Sequence, residues 1–129
     1  MNELDILFRA RKTVLEMLRD RGYSIPDDLQ CQELSQLRNL YMNGNCDIYV
    51  DKPEPCYVKF IHQNKLRPNN LKECIQSIQD ETLHERGQLI VVSRNKPNST
   101  LEKICKESRN TQIFWINRLV SNIMRHELM

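Results

Sequence analysis

Several features that mark specialised protein classes are missing from this sequence. Only three of its 129 residues are glycine and five are proline, which argues against long disordered or low-complexity tracts. No apolar run approaches the roughly 20 residues that cross a bilayer, so no membrane association is expected. The polar N-terminus has no signal-peptide pattern, and the composition, 40% hydrophobic and 28% charged, predicts a soluble globular protein.

Cysteine spacing and net charge narrow the class further. The sequence has five cysteines with no Cys-x-x-Cys pair among them: Cys31, Cys46, Cys56, Cys74 and Cys105. No metal site and no cofactor are therefore expected, and reduced thiols in an intracellular compartment are the simplest interpretation. The net charge of +2 is too small to indicate nucleic-acid binding by itself.

Residues 7–23 predict an amphipathic helix that ends at Gly22. Its apolar stripe consists of Leu4, Leu7, Phe8, Val14, Leu15 and Leu18. Arg11 interrupts this stripe, so its stem should pack in the core and its guanidinium should meet a carboxylate or several carbonyls. Asp47, at the start of a predicted strand, is the candidate ion-pair partner.

Periodicity and turn residues define the remaining elements. A capping box at Ser24 predicts a second, interrupted helix that runs to about residue 41. Strands are predicted at 46–50, 56–61, 88–93 and 111–116, with a further short strand at 119–124. Helices should begin after a cap at Asn69 or Asn70 and after a cap at Ser99 or Thr100.

This element order predicts an α/β fold in one domain, residues 1–129. The short loop between the first two strands indicates an antiparallel hairpin, and the later strands alternate with helices. We therefore expect a three-layer α/β/α arrangement with a mixed sheet of four to five strands. The same order is compatible with a restriction-endonuclease-like core.

A nuclease of that fold needs an acid at the start of one strand and an acid-x-Lys sequence on the next. Asp47 and Lys59 match two of these positions, but the second acid is replaced by Tyr57. A phenol does not substitute for a carboxylate towards a hard cation at neutral pH. The sequence thus predicts no catalytic residues, with Asp47 a polar strand-start residue and Lys59 on a solvated face.

Two motifs resemble a known family. The first comprises Arg11, Lys12 and Thr13 followed by Arg21, Gly22 and Tyr23, and the second comprises His126, Glu127 and Leu128. They resemble the opening helix and the domain junction of the fifth-largest subunit shared by eukaryotic nuclear RNA polymerases I, II and III. Some large DNA viruses encode a version of this subunit.

The resemblance implies a non-catalytic subunit of a DNA-directed RNA polymerase. In that family an N-terminal jaw domain, itself related in fold to restriction endonucleases, helps form the lower jaw around downstream DNA. Its implied partners are the largest subunit, other polymerase subunits and transcription factors. The implied location is the nucleus, or the virion or host cell for a viral version. The family's C-terminal assembly domain would begin where this chain ends, so it is expected to be absent here.

Two basic loops are candidates for contact with DNA. Lys65 and Arg67 lie in one loop, and Arg94, Lys96 and Pro97 lie in the other. The second loop matches in position a proline-containing loop that faces downstream DNA in the polymerase family. The resemblance implies contacts to phosphates without base reading. Ordinary solvated loop charges are the alternative.

Two other functions are compatible with the sequence, and one aromatic residue needs an interpretation of its own. The alternatives to a polymerase subunit are a nuclease-fold enzyme, active or relict, and a free protein-interaction module that recruits transcription factors. Trp115 is expected to be a strand core residue rather than a base-stacking platform.

Overall fold

The computed structural model describes residues 2–30, 33–42, 46–62, 64–84 and 86–120. The helices are α1 (Glu3–Asp20), a 3₁₀ turn (Asp27–Leu29), α2 (Leu34–Met42), α3 (Pro68–Ile78), a π-helical turn (Gln79–Leu83) and α4 (Ser99–Glu107). The strands are β1 (Ile48–Val50), β2 (Cys56–Ile61), β3 (Gln88–Ser93) and β4 (Thr111–Trp115). Residues 116–120 are also helical.

The sheet confirms the predicted α/β class with mixed strand directions. Its strand order is β1-β2-β3-β4. β1 pairs antiparallel with β2, as the short loop between them predicts. β2, β3 and β4 run parallel, because α3 and α4 provide the crossover connections that parallel neighbours require.

The chain divides into two compact units, Asp47–Trp115 and Met1–Cys46 with Ile116–Met129. In the first unit, α3 and α4 contribute to a core cluster with β3, whose Leu89 and Val91 are fully buried. Ile90 and Val92, which alternate with them along the strand, are buried as well. A strand buried on both faces reads as a continuous apolar run, and this is why the segment Leu89 to Val92 lacks polar alternation.

In the other unit, α1 has the C-terminal end and most of the buried face that its sequence predicts, but it begins at Glu3 rather than at residue 7. The Asp5 amide donates to Asn2 Oδ1 at 2.9 Å and caps the N-terminus. Gly22, at φ +95°, closes the C-terminus in the left-handed conformation. The Gly22 and Tyr23 amides donate to the Arg19 and Leu18 carbonyls, both at 2.9 Å. The buried positions include Leu7, Val14, Leu15 and Leu18.

Position 87 requires glycine for both steric and conformational reasons. Its φ is +74°, and a Cβ atom there would lie 1.8 Å from the Pro55 carbonyl oxygen. That same oxygen accepts a hydrogen bond from the Gln88 amide at 2.8 Å. The approach of the two chains at the start of β3 therefore leaves no room for a side chain at this position.

Four sequence predictions are wrong in detail. α4 is capped by Asn98 rather than by Ser99 or Thr100, because Asn98 Oδ1 accepts a hydrogen bond from the Leu101 amide at 2.9 Å. The 3₁₀ turn follows Pro26 and has no side-chain cap, so Ser24 does not cap it. α3 begins at Pro68, before either predicted asparagine cap, because proline fits the first helical turn without an amide donor. Residues 119 and 120 are helical rather than extended, since burial at 116, 119 and 120 follows the helical period. Residues 121–124 of that predicted strand lie outside the described residues.

No helix within the described ranges combines the length and apolarity needed to span a membrane.

Candidate nucleic-acid interface

The loops after β2 and β3 lie at the same edge of the sheet. Because β2 and β3 are parallel, their carboxyl ends point the same way, and this edge is where open α/β sheets commonly bind ligands. Lys65 and Arg67 follow β2, and Arg94 and Lys96 follow β3. All four side chains are exposed, and the half-buried Pro97 continues the second loop.

Two hydrogen bonds join these loops. The Arg94 amide donates to the Ile61 carbonyl at 3.0 Å, immediately after the last paired residues of β2 and β3. The Leu66 amide donates to the side-chain Oδ1 of Asn95 at 2.9 Å. The structure therefore brings together the two loops that the sequence singles out, although they are far apart along the chain.

The loop after β3 has two further anchors. Ser93 Oγ, which is fully buried, donates to the Asn95 carbonyl at 2.8 Å. Trp115 ends β4, and its indole nitrogen donates to the Arg94 carbonyl at 3.3 Å. Trp115 is half-buried, so it supports the basic loop instead of filling the centre of the core.

The electrostatic character of this edge is positive. No salt bridge within the described ranges neutralises Lys65, Arg67 or Lys96. α3 and α4 both begin at this edge, and the positive end of each helix dipole adds to the side-chain charges. Exposed cations and helix N-termini together favour an anion such as a phosphate, and they present no fixed hydrogen-bonding pattern for reading bases.

The three residues at the positions of the nuclease pattern, Asp47, Tyr57 and Lys59, also lie together, but they form hydrogen bonds with one another. Asp47 Oδ2 accepts from the Tyr57 hydroxyl at 2.8 Å and from Lys59 Nζ at 3.1 Å. Its Oδ1 accepts from the Phe60 amide at 3.0 Å. Lys59 is partly exposed and paired, so the prediction of a merely solvated lysine is incomplete. Asp47 does lie just before β1, at the predicted start of the strand.

Tyr57 acts in this cluster as a hydrogen-bond donor. Burial, and then the hydrogen bond to Asp47, raise the pKa of Tyr57 well above its ordinary value. The phenol therefore stays neutral at physiological pH and donates a hydrogen bond to the carboxylate, whereas a metal site needs a second anionic oxygen. No group of three His, Cys, Asp or Glu side chains suited to a metal ion occurs among the described residues.

Burial also sets the state of two thiols near this unit's core. It raises the pKa of Cys105 to about 11, with a smaller contribution from the Glu102 charge. The pKa of Cys74 is raised chiefly by burial, although Lys59 opposes the shift. A protonated thiol is a poor nucleophile, so neither residue has the properties of a catalytic cysteine at neutral pH.

Arg11 meets carbonyls, as one branch of the sequence prediction requires. Its side chain is 3% exposed. Nε donates to the Cys46 carbonyl at 3.3 Å, and Nη1 donates to the Leu29 carbonyl. The proposed ion pair with Asp47 stays a prediction. Arg11 thus ties two later segments of its own unit to α1, and its motif position has a structural explanation.

The neighbouring motif residues also hold this unit together. Thr13 Oγ1 donates to the Leu119 carbonyl at 3.0 Å, and Tyr23 is 5% exposed. Lys12 lies over the Phe8 ring at 5.0 Å from its centroid. Arg21 is the C-cap of α1 and precedes Gly22. His126, Glu127 and Leu128 lie outside the described residues.

Sequence reasoning missed Asn95, the residue whose side chain joins the two basic loops. Its partner Leu66 lies 29 residues away, so no local spacing signals the contact. An asparagine in a polar loop ordinarily indicates only a turn. Without the register of β2 and β3, this hydrogen bond could not be anticipated.

The fold and this edge define an α/β domain that presents two joined basic loops beside a mixed sheet. The chain belongs to the family described as RNA polymerase Rpb5, N-terminal domain, whose model matches residues 1–113. Within this family the chain is a polymerase-subunit domain.

Curated relatives from Arabidopsis thaliana agree with this assignment. DNA-directed RNA polymerase V subunit 5A is 26% identical over 94% of this chain. DNA-directed RNA polymerases IV and V subunit 5B is also 26% identical over 94% of the chain. DNA-directed RNA polymerase subunit 5-like protein 1 is 24% identical over 99% of it. The chain spans 58% of the first relative's length and 59% of the second's.

Proposed function

We propose that this chain acts as a non-catalytic part of a DNA-directed RNA polymerase, in the lower jaw around downstream DNA. The observation that carries this proposal is the pair of joined basic loops at the carboxyl edge of the sheet. Lys65, Arg67, Arg94 and Lys96 contact backbone phosphates there, and Pro97 stiffens the second loop. Family membership supports the polymerase context.

The same proposal includes the assembly and the architecture. Residues 1–129 form one jaw domain that docks on the largest polymerase subunit and neighbours other subunits and transcription factors. Its location is the nucleus, or the virion or host cell if the source is viral. The sheet is the middle of a three-layer, restriction-endonuclease-like α/β/α sandwich, which the burial of β3 on both of its faces supports.

The DNA contact is tested by salt-dependent binding of a short fluorescent duplex, followed by anisotropy. With four phosphate contacts, log K should fall against log salt with a slope of about −3.6. Binding should be independent of sequence and in the micromolar range or weaker at physiological salt, as expected of roughly four phosphate contacts. Trp115 is the only tryptophan and touches the Arg94 carbonyl, so its emission should change on binding.

Two double variants with the same change in net charge distinguish phosphate contacts made by the loop cations from a general effect of protein charge on DNA binding. Arg94→Ala with Lys96→Ala should reduce the slope by about 1.8, corresponding to two lost contacts. Lys103→Ala with Lys106→Ala changes net charge equally on α4 and should leave the slope unchanged. Equal effects of the two pairs, or sub-micromolar sequence-selective binding by the wild type, would refute the proposed phosphate-binding edge.

A nuclease-fold enzyme is the second candidate, favoured only by the meeting of Asp47, Tyr57 and Lys59. Because Tyr57 donates a hydrogen bond to the single carboxylate and supplies no second anionic oxygen, we expect no cleavage of plasmid DNA with magnesium or manganese. Cleavage by the purified chain that disappears in Asp47→Ala would replace the jaw proposal with an enzymatic one.

A further inference from the structure

Asn95 is the link between the two basic loops. Its Oδ1 accepts the Leu66 amide proton at 2.9 Å, and its own carbonyl accepts from Ser93 Oγ at 2.8 Å. The buried Ser93 at the end of β3 therefore fixes the Asn95 backbone, and the Asn95 side chain in turn reaches the loop after β2. The two contacts form a connection from the sheet, through one loop, to the other.

We propose that Asn95 is a positioning residue for phosphate binding, which holds the loop of Lys65 and Arg67 beside the loop of Arg94 and Lys96. Both loops then engage phosphates of the same duplex at once. This inference rests on the proposed function, because it assigns a role at the same edge of the sheet. Asn95 acts through the cations and does not itself need to touch DNA.

The local conformation around Leu66 explains why one hydrogen bond orients two charges. Leu66 is 3% exposed, and its side chain belongs to the core cluster. The following residue, Arg67, is extended, with φ −109° and ψ 155°. Neighbouring side chains in an extended segment point to opposite sides. Leu66 is buried and its amide is held by Asn95, while Lys65 and Arg67 on either side of it are exposed.

Holding both loops in advance increases affinity because binding then orders fewer groups. A loop that is not connected must be ordered when DNA binds, and this ordering opposes association. Each loop carries two cations. Without the hydrogen bond between Asn95 and Leu66, the two cations of one loop no longer contact phosphates at the same time as the two cations of the other. The expected signature is a smaller salt slope, since that slope counts the phosphates contacted at once.

The chain offers a closely matched control in Asn2. Asn2 Oδ1 also accepts a hydrogen bond from a backbone amide at 2.9 Å, from Asp5, but this bond caps α1 in the other unit. Asn95→Ala and Asn2→Ala therefore remove the same atoms and one comparable hydrogen bond each. Only Asn95→Ala disconnects the two loops.

The experiment measures the hydrogen exchange of the Leu66 amide by NMR and duplex binding by anisotropy, in the full chain. In Asn95→Ala the Leu66 amide should exchange at least about tenfold faster, as expected for a broken hydrogen bond of about 1.4 kcal/mol. The salt slope should fall from about −3.6 to about −1.8. Asn2→Ala should leave the Leu66 exchange and the salt slope at wild-type values.

A mutational cycle adds a readout that general destabilisation does not alter. Lys65→Ala with Arg67→Ala should weaken DNA binding in the wild-type background and have little further effect in Asn95→Ala. Additive losses, an unchanged slope in Asn95→Ala, or continued protection of the Leu66 amide would overturn the role of Asn95. Absence of DNA binding by the wild type would instead overturn the proposed function, and this inference with it.

Discussion

Replacement of Arg11 tests how much its hydrogen bonds and its packing contribute to the stability of the unit that contains α1. The side chain is almost fully buried on the apolar face of the helix. It donates to the carbonyls of Leu29 and Cys46, which follow α1 in the chain. Arg11→Ala removes both donors and leaves these carbonyls to find other partners. It also removes the stem that packs beside Leu7 and Val14 on the same stripe.

The magnitude follows from these two contacts. Hydrogen bonds from a charged donor contribute about 1.5–3 kcal/mol each, so Arg11→Ala should reduce the free energy of unfolding by about 3 kcal/mol or more. Arg11→Lys keeps a charge and part of the stem but loses the planar fork, so it should recover only part of that loss. Arg19→Ala, an exposed arginine in the last turn of the same helix, should change stability by less than about 1 kcal/mol.

Urea unfolding of the three variants measures these effects. A second set, Asp47→Ala and its combination with Arg11→Ala, tests the predicted ion pair through the coupling energy. A loss below about 1 kcal/mol for Arg11→Ala, the range of ordinary surface substitutions, would refute the structural role. Arg11 would then be available for contact with a partner protein.

Three further predictions concern other residues. Gly87→Ala should destabilise by roughly 3 kcal/mol or more in urea unfolding, because its Cβ would overlap a carbonyl oxygen, whereas Gly22→Ala, with open space, should lose only about 1–2 kcal/mol. The pKa of Cys105 is about 11 in the folded protein against an ordinary 9.0, so the unfolded state releases the proton first. The contribution of Cys105 to stability should therefore be constant below pH 9 and decrease between pH 9 and 11. Because the pKa of Cys74 and of Tyr57 is also raised, this contribution is measured as a shallower decrease in Cys105→Ala than in the wild type, by urea unfolding across this range. Tyr57→Phe should lose about 1 kcal/mol in the same assay, because it removes only the hydroxyl that donates to Asp47, and a gain in stability would contradict the assigned hydrogen bond.

The extended segments were predictable because their apolar patterns are strong and short. β2 and β3 have the bounds that the sequence indicates, 56–61 and 88–93. β1 is shorter than predicted, since Asp47 turns its carboxylate back towards the Phe60 amide and the ladder ends there. The mixed sheet follows from the short hairpin loop and the helical crossovers, which are features of local sequence.

Helix starts were less predictable because several residues compete for the cap. Asn69 and Asn70 are good capping residues, yet Pro68 lies inside the first turn and moves the start before them. The segment from Ile116 shows the same problem in another form. Its β-branched residues favour a strand, but its burial follows a helical period.

The sequence predicted which residues form the candidate interface, but not the hydrogen bond that joins its two loops. The four exposed cations were visible as two basic loops, and the resemblance to a family gave them a role. Their connection through Asn95 depends on the parallel register of β2 and β3, which brings Ile61 beside Ser93. The pairing register is a property of the folded sheet. It cannot be obtained from one sequence, so the contact of Asn95 with Leu66 could not be predicted.

The central claim is that the loop after β3 faces downstream DNA, and site-specific cross-linking in an assembled polymerase tests it most directly. A photo-crosslinking amino acid replaces Lys96 in one preparation and Lys103, exposed on α4, in the other. We predict cross-links to the downstream duplex from position 96 and none from position 103. Equal cross-linking from the two positions, or cross-linking only to protein from position 96, would contradict the account.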